Sequence, residues 1–102
     1  MNTLEKLQQW YLSQCNSDWE HQYGMKIGTL DNPGWQLSID LAETHLENES
    51  FDSVKVDNTD TDWVSCWVDA KKFEGRGGPT NLNQMIEIFL SWANSWKSTK
   101  TE

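Results

Sequence analysis

Basic residues are scarce in this sequence: eight lysines and arginines stand against sixteen aspartates and glutamates, for a formal net charge of −8. Proteins gain affinity for nucleic acids largely from lysine and arginine contacts to phosphates. The deficit therefore argues against direct nucleic-acid binding. A basic protein partner would instead be attracted, with an effect mainly on the rate and specificity of encounter.

Long apolar runs are absent, and there are only two cysteines. No apolar run approaches the roughly 20 residues that a membrane-spanning helix needs. The chain does not open with the basic and apolar regions of a signal peptide. We therefore predict a soluble cytoplasmic protein without membrane contact, in which Cys15 and Cys66 remain free thiols.

Metal-binding and catalytic motifs are missing as well. Cys15, Cys66, His21 and His45 do not have the short paired spacings of structural zinc ligands. No nucleophile elbow, phosphate-binding loop or HExxH helix appears. From these absences we predict that the protein binds neither a metal nor a cofactor.

Aromatic residues, by contrast, are abundant, with seven Trp, three Phe and two Tyr among 102 residues. Each large aromatic side chain buries about 150 to 250 Å², so a short chain of low hydropathy still has material for one core. No repeat or interdomain linker interrupts the sequence. We predict one domain spanning residues 1–102.

The amino-terminal segment has the periodicity of an amphipathic helix. Asn2 and Glu5 have the spacing of a capping box, which predicts a helix from about residue 3 to 14. The apolar face of this helix would consist of Leu4, Leu7 and Tyr11.

A second helix is predicted near the carboxyl terminus. Thr80 or Asn81 can cap its start, because both side chains accept hydrogen bonds from free backbone N–H groups. The polar tail at residues 97–102 is expected to fray. The apolar stripe of this helix recurs at intervals of three and four and comprises Leu82, Met85, Ile86, Phe89, Trp92, Ala93 and Trp96.

Two strands are predicted around one turn. Met25–Leu30 forms the first, and it ends where Pro33 and Gly34 would supply the fixed and the positive φ that a turn needs. In the second strand, polar residues alternate with apolar ones, which are Trp35, Leu37, Ile39 and Leu41.

A second pair of strands follows an acidic stretch. Val54 and Val56 indicate a third strand within Asp40–Asp62, where the density of like charge favours a solvated surface. Trp63–Val68 is rich in β-forming residues and would pair with the third strand through a turn at Asn58–Asp62. Both faces of this fourth strand look apolar, so we expect a helix to cover one of them.

The segment at residues 71–80 is predicted to be a loop. Its glycines would let the chain turn sharply from sheet to helix, and Arg76 would pair with a neighbouring acid. The element order is then α-β-β-β-β-α. This order predicts an α+β fold, with an antiparallel four-stranded meander sheet on which the N-terminal and C-terminal helices pack.

The cluster Asp18-Trp19-Glu20-His21 allows three interpretations. An acid beside a histidine is a common arrangement for acid-base catalysis, because histidine titrates near neutral pH. The cluster could equally connect helix and strand, with Trp19 in the core, or it could contact a partner. The sequence alone leaves these alternatives open.

Several motifs together resemble the immunity protein 53 family of bacterial toxin systems. The likeness spans about residues 10–93. DWEH followed by LDNPGW at this spacing is its most specific part. The residues that carry the resemblance are Trp10-Tyr11, Cys15, Asp18-Trp19-Glu20-His21, Tyr23-Gly24, Thr29–Trp35, Asp62-Trp63, Phe73, Gly77-Gly78-Pro79, Asn81-Leu82, Phe89-Leu90 and Trp92-Ala93.

This resemblance implies a small intracellular protein that protects its producer by binding a cognate toxin C-terminal domain, as in polymorphic toxin and contact-dependent inhibition systems. It does not supply the contact residues. From charge, we predict that an acidic surface docks on a basic toxin face, which would be a substrate groove if the toxin is a nuclease. The candidate toxin-binding residues are Asp18, Glu20, His21, Glu43, Glu47, Glu49, Asp52, Asp57, Asp60 and Asp62.

Two other functions remain open at this stage. The chain could be a small enzyme that uses His21 with Asp18 or Glu20. It could also be an adaptor that dimerises through a sheet edge. The leading interpretation predicts a non-enzymatic inhibitor that is a monomer or a weak homodimer.

Overall fold

The computed structural model describes the backbone of residues 1–100 and the side chains of residues 1–95. Within these residues an antiparallel sheet of five strands packs with helices. The fraying predicted for residues 97–102 and the core position predicted for Trp96 lie outside the described side chains. The elements in chain order are α1 (Thr3–Gln14), α2 (Trp19–Gln22), β1 (Met25–Leu30), β2 (Gly34–Asp40), β3 (Val54–Thr59), β4 (Asp62–Asp69), β5 (Lys72–Gly77) and α3 (Leu82–Lys100).

The predicted bounds of α1 and β1 are confirmed, but the predicted apolar face of α1 is wrong, because Leu4 and Tyr11 are exposed and Leu7 packs inward together with Trp10. The Glu5 amide donates to Asn2 Oδ1 at 2.8 Å, and the Asn2 amide donates to Glu5 Oε1 at 3.0 Å. These two bonds satisfy amides that the helix itself cannot. Strand β1 has the predicted bounds and pairs antiparallel with β2, and the predicted pairing of β3 with β4 is also present.

The four-stranded meander is wrong, because the predicted loop at residues 71–80 contains strand β5. This strand lies between β2 and β4, so the sheet order is β1-β2-β5-β4-β3. Only Phe73 in β5 is a strong β-former, and the two glycines weaken the strand signal. Alternation is nevertheless present, since Phe73, Gly75 and Gly77 are buried while Glu74 and Arg76 are half-buried.

Most of the glycines serve close packing, and the positive φ predicted at Gly34 is wrong. Gly78 does begin the turn from sheet to helix, where its carbonyl accepts from the Asn81 amide at 3.1 Å. No glycine, all of which lie in the described residues, has a positive φ. A Cβ atom on Gly75 would lie 2.9 Å from Met85 Sδ, and one on Gly77 would lie 3.2 Å from Asn81 Cβ. A Cβ atom on Gly34 would collide with the Gly77 carbonyl oxygen. Glycine thus lets α3 and β2 approach β5 closely.

One face of the sheet forms the core together with α3. Helix α3 packs on β2, β4 and β5, and α1 packs on α3. The Trp10 and Phe89 rings meet edge to face, with centroids 4.9 Å apart. The buried core comprises Leu7, Trp10, Leu37, Ile39, Leu41, Leu46, Val64, Cys66, Phe73, Met85, Ile86, Phe89, Leu90 and Ala93.

The long β2–β3 connection runs from β2 to the edge strand β3, past the positions of β5 and β4. It contributes apolar side chains to this core. Leu41 and Leu46 are fully buried. The Phe51 ring packs on Phe73 and Trp92, with centroid distances of 5.3 and 5.1 Å. These apolar side chains fix the β2–β3 connection to the core, and they thereby fix the positions of its acidic residues at the surface.

The opposite face of the sheet, called here the open face, carries mixed side chains. They include Gln36 and Ser38 from β2, Glu74 and Arg76 from β5, and residues of β4 that alternate with the buried Val64 and Cys66. All of these open-face side chains are half-buried or exposed. No helix in the described part of the chain is long and apolar enough to cross a membrane.

Candidate functional site

The candidate residues fall into two groups at opposite ends of the sheet. Strand β4 separates them, and its eight residues extend over roughly 25 Å at a rise of about 3.3 Å per residue. Asp52 lies apart from both groups, in a groove beside α3. The hairpin group, around the β3–β4 turn, contains Asp57, Asp60 and Asp62. The corner group, near α2 and the β2–β3 connection, contains Asp18, Glu20, His21, Glu43, Glu47 and Glu49.

Within the corner group, Glu20 fastens the connection between α1 and α2. Its carboxylate accepts hydrogen bonds from the amides of Asn16 and Ser17, both at 2.9 Å. Backbone N–H groups, its own and those of Asn16 and Ser17, hold the pKa of Glu20 below its usual range. Ser17 has a φ of 75°, so the chain turns sharply at this point. Glu20 therefore stabilises the corner.

Trp19 points inward from the same short helix. It is 1% exposed, and its indole Nε1 donates to the Ala42 carbonyl at 2.9 Å. This bond places α2 beside the start of the β2–β3 connection. Asp18 and His21 remain exposed on the outer side of α2. The cluster thus combines an architectural core residue with polar groups that face solvent.

The corner group continues in the β2–β3 connection. Glu47 accepts a hydrogen bond from Lys71 Nζ at 3.0 Å, and this bond lowers the pKa of the Glu47 carboxyl. Glu43 is exposed and has a φ of 62°. Glu49 is half-buried.

In the hairpin group, Asp62 ties the sheet to the start of α3. Its carboxylate accepts from Asn81 Nδ2 at 3.0 Å and from Asn58 Nδ2 at 3.2 Å. These bonds, the one from Asn81 first, lower the pKa of Asp62. Asn81, which is only 4% exposed, also accepts from the Trp63 amide at 3.4 Å.

The other two members of the hairpin group are open to a partner. Asp57 and Asp60 are exposed. Within the described residues, no salt bridge reaches either carboxylate. Both carboxylates are therefore accessible to a charged group of a partner.

A groove of about 760 Å³ lies on the open face next to the hairpin group. We call it the tryptophan groove. Its walls include Trp63, Ser65, Trp67 and Arg76, and its rim includes Asp57 and Asp60. The spacing of Trp63 and Trp67 predicts their shared strand face. The position of Arg76 beside Trp67 was not predicted from the sequence, because this neighbourhood depends on recognising β5 as a strand.

Neither cysteine lies in a site suited to thiolate chemistry. Cys66 is fully buried in the core, and burial raises the pKa of its thiol to about 11. Cys15 is half-buried, and its thiol donates to the Tyr11 carbonyl at 3.4 Å. In the part of the chain that the structure describes, no three His, Cys, Asp or Glu residues converge as a possible metal site.

In the comparison with protein families, the model of the family described as Immunity protein 53 matches residues 4–94. This range covers nearly all of α1, the whole sheet and most of α3. Comparisons with curated proteins and with solved structures find no match.

Proposed function

The chain belongs to the immunity protein 53 family, and we propose that it binds and neutralises a cognate bacterial toxin domain without turning over a substrate. The family match over residues 4–94 is the observation that carries this proposal. The inhibitor would act in the cytoplasm as a monomer or weak homodimer, and would cover a functional face of the toxin.

Charge supports a basic toxin face as the docking partner. The net charge of −8 would draw such a face towards the inhibitor. If the toxin is a nuclease, its substrate groove must be basic, and carboxylates of the inhibitor would occupy positions that phosphates otherwise take.

The candidate residues divide by what they already bind. Asp18, Glu20, Glu47 and Asp62 are engaged by groups of the same chain, so their main contribution is the shape of the surface. The candidates that remain available for direct contact are His21, Glu43, Glu49, Asp52, Asp57 and Asp60.

The geometry gives the enzyme alternative little support. His21 is exposed on a helix of four residues, and the carboxylate of its neighbour Glu20 already holds two backbone amides. A general base must be held within reach of the proton that it abstracts. A His21→Ala variant that retains full protection against the toxin would leave this alternative without support.

Rapid-mixing measurements with a purified candidate toxin domain would test electrostatic docking. We expect the association rate constant to fall at least about tenfold between about 50 and 500 mM salt, because screening weakens long-range attraction. An association rate that is indifferent to salt would contradict docking through an acidic surface.

Two charge-matched double variants locate the docking end. Asp57→Asn with Asp60→Asn removes two charges from the hairpin group, and Glu43→Gln with Glu49→Gln removes two from the corner group. We expect the hairpin pair to slow association several-fold and the corner pair to change it less, because rim charges act mainly on the association rate. A slower association for the corner pair alone would place docking at the other end of the sheet.

A further inference from the structure

The open face of the sheet carries large aromatic side chains that the core does not use. Trp63 and Trp67 alternate along β4 with Val64 and Cys66, which are buried on the core side. Both tryptophans are half-buried and line the tryptophan groove. The two tryptophans therefore leave apolar surface in the groove that the core does not bury and that a partner could cover.

Arg76 makes one wall of this groove rigid before any partner binds. Its guanidinium lies over the Trp67 ring, 5.5 Å from the centroid. Arg76 Nη1 also donates to the Gly75 carbonyl at 2.9 Å and approaches Glu74 Oε1 at 3.4 Å. The Ser38 hydroxyl donates to the same Glu74 oxygen at 2.5 Å. Because these side chains are already held in place, binding a partner here would cost them little rotamer freedom.

The residue types of this wall are those that dominate binding energy in protein interfaces. Tryptophan and arginine are enriched among hot spots, and they act best where surrounding contacts exclude water. In the tryptophan groove, Trp63 and Trp67 stand on either side of the small Ser65. Arg76 on β5 and Lys55 on β3 lie opposite Ser65, and the groove that these side chains line has room for one projecting side chain.

The charges around the groove determine which charged residues of a partner are favoured next to the inserted side chain. Arg76 is balanced by Glu74, which leaves the exposed Asp57 and Asp60 against Lys55 among the groove residues. The exposed charged residues of the groove are therefore acidic on balance, while its half-buried walls are aromatic.

Resting on the proposed function, we infer that the tryptophan groove receives an aromatic or apolar side chain of the toxin domain, flanked by lysine or arginine residues that pair with Asp57 and Asp60. The groove supplies the short-range binding energy, and the acidic rim supplies the orientation. The anchor and the charges would then lie in one continuous interface at the hairpin end of the sheet.

Titration calorimetry of the full chain with the purified toxin domain tests this inference. Trp67→Ala should weaken binding at least about 30-fold, the loss expected for a central hot spot. Ser65→Tyr keeps both tryptophans but fills the gap between them, and it should weaken binding by a similar factor. Leu12→Ala, at an exposed apolar residue on α1, is the matched control and should change the dissociation constant less than about threefold.

Thermal unfolding of each variant separates lost binding from lost folding. If Ser65→Tyr remains folded and weakens binding, the groove assignment holds even if Trp67→Ala unfolds. If folded Trp67→Ala and Ser65→Tyr both bind like the unmodified chain, the groove is not the anchor and the inhibitor function still stands. If the unmodified chain itself does not bind the toxin domain, the proposed function fails.

Discussion

Individual residues in the acidic clusters have different physical roles. Glu20 and Trp19 are adjacent, yet the Glu20 carboxylate holds backbone amides at the surface while the Trp19 side chain is buried. Asp60 and Asp62 are separated by a single residue, and only Asp62 binds the start of α3. A formal charge therefore does not identify a contact residue until its hydrogen bonds are known.

The Asp62 carboxylate should stabilise the fold in a pH-dependent way. Its pKa in the fold lies below the ordinary value of 3.8 because Asn81 and Asn58 donate to the charged form. This contribution is present above about pH 4 and is lost as the pH falls through the folded pKa. Asp62→Asn should therefore lower the free energy of unfolding at pH 7, and the difference from the unmodified chain should shrink below pH 4.

Urea denaturation at pH 7, 4.5 and 3.5 measures this difference. Asp60→Asn is the control, because Asp60 lies in the same turn and is exposed. We expect it to have little effect on stability at neutral pH. A difference for Asp62→Asn that stays constant across this pH range would mean that the carboxylate charge contributes nothing.

At the level of elements, sequence periodicity identified the pieces that form on their own. The capping pair and apolar spacing predicted α1, and alternation predicted the core of β2. Strand β5 could not be recognised in the same way. Two of its inward positions are glycines that are needed because α3 and β2 come close, and this requirement arises only in the folded sheet.

The close approach of β2 to β5 predicts different effects for two glycines in the first hairpin. A Cβ atom at Gly34 would collide with the Gly77 backbone, whereas one at Gly28 would lie 3.6 Å from Gln36 Cγ, in ordinary contact. Gly34→Ala should destabilise the protein by about 1 to 3 kcal/mol, the usual cost of overpacking. Gly28→Ala should change stability by less than about 1 kcal/mol.

Chemical denaturation at 25 °C compares the two variants directly. Both substitutions add one methyl group to a paired strand and leave the net charge unchanged. Equal losses of stability would contradict the packing role assigned to Gly34.

For the whole molecule, the family could be predicted from the sequence, whereas the shape of the candidate site could not. The acidic excess and the family resemblance were both evident in the sequence. The separation of the acids into two groups depends on the position of β5 and on the long β2–β3 connection. The tryptophan groove likewise requires Arg76 and Trp67 to lie on adjacent strands, which the four-stranded meander does not provide.

Growth of a bacterial host that produces a candidate cognate toxin domain tests the central claim most directly. Co-production of the unmodified chain should restore growth, with no such effect from an unrelated acidic protein made in equal amount. Continued growth arrest in the presence of folded, abundant chain would contradict its role as the immunity protein for that toxin.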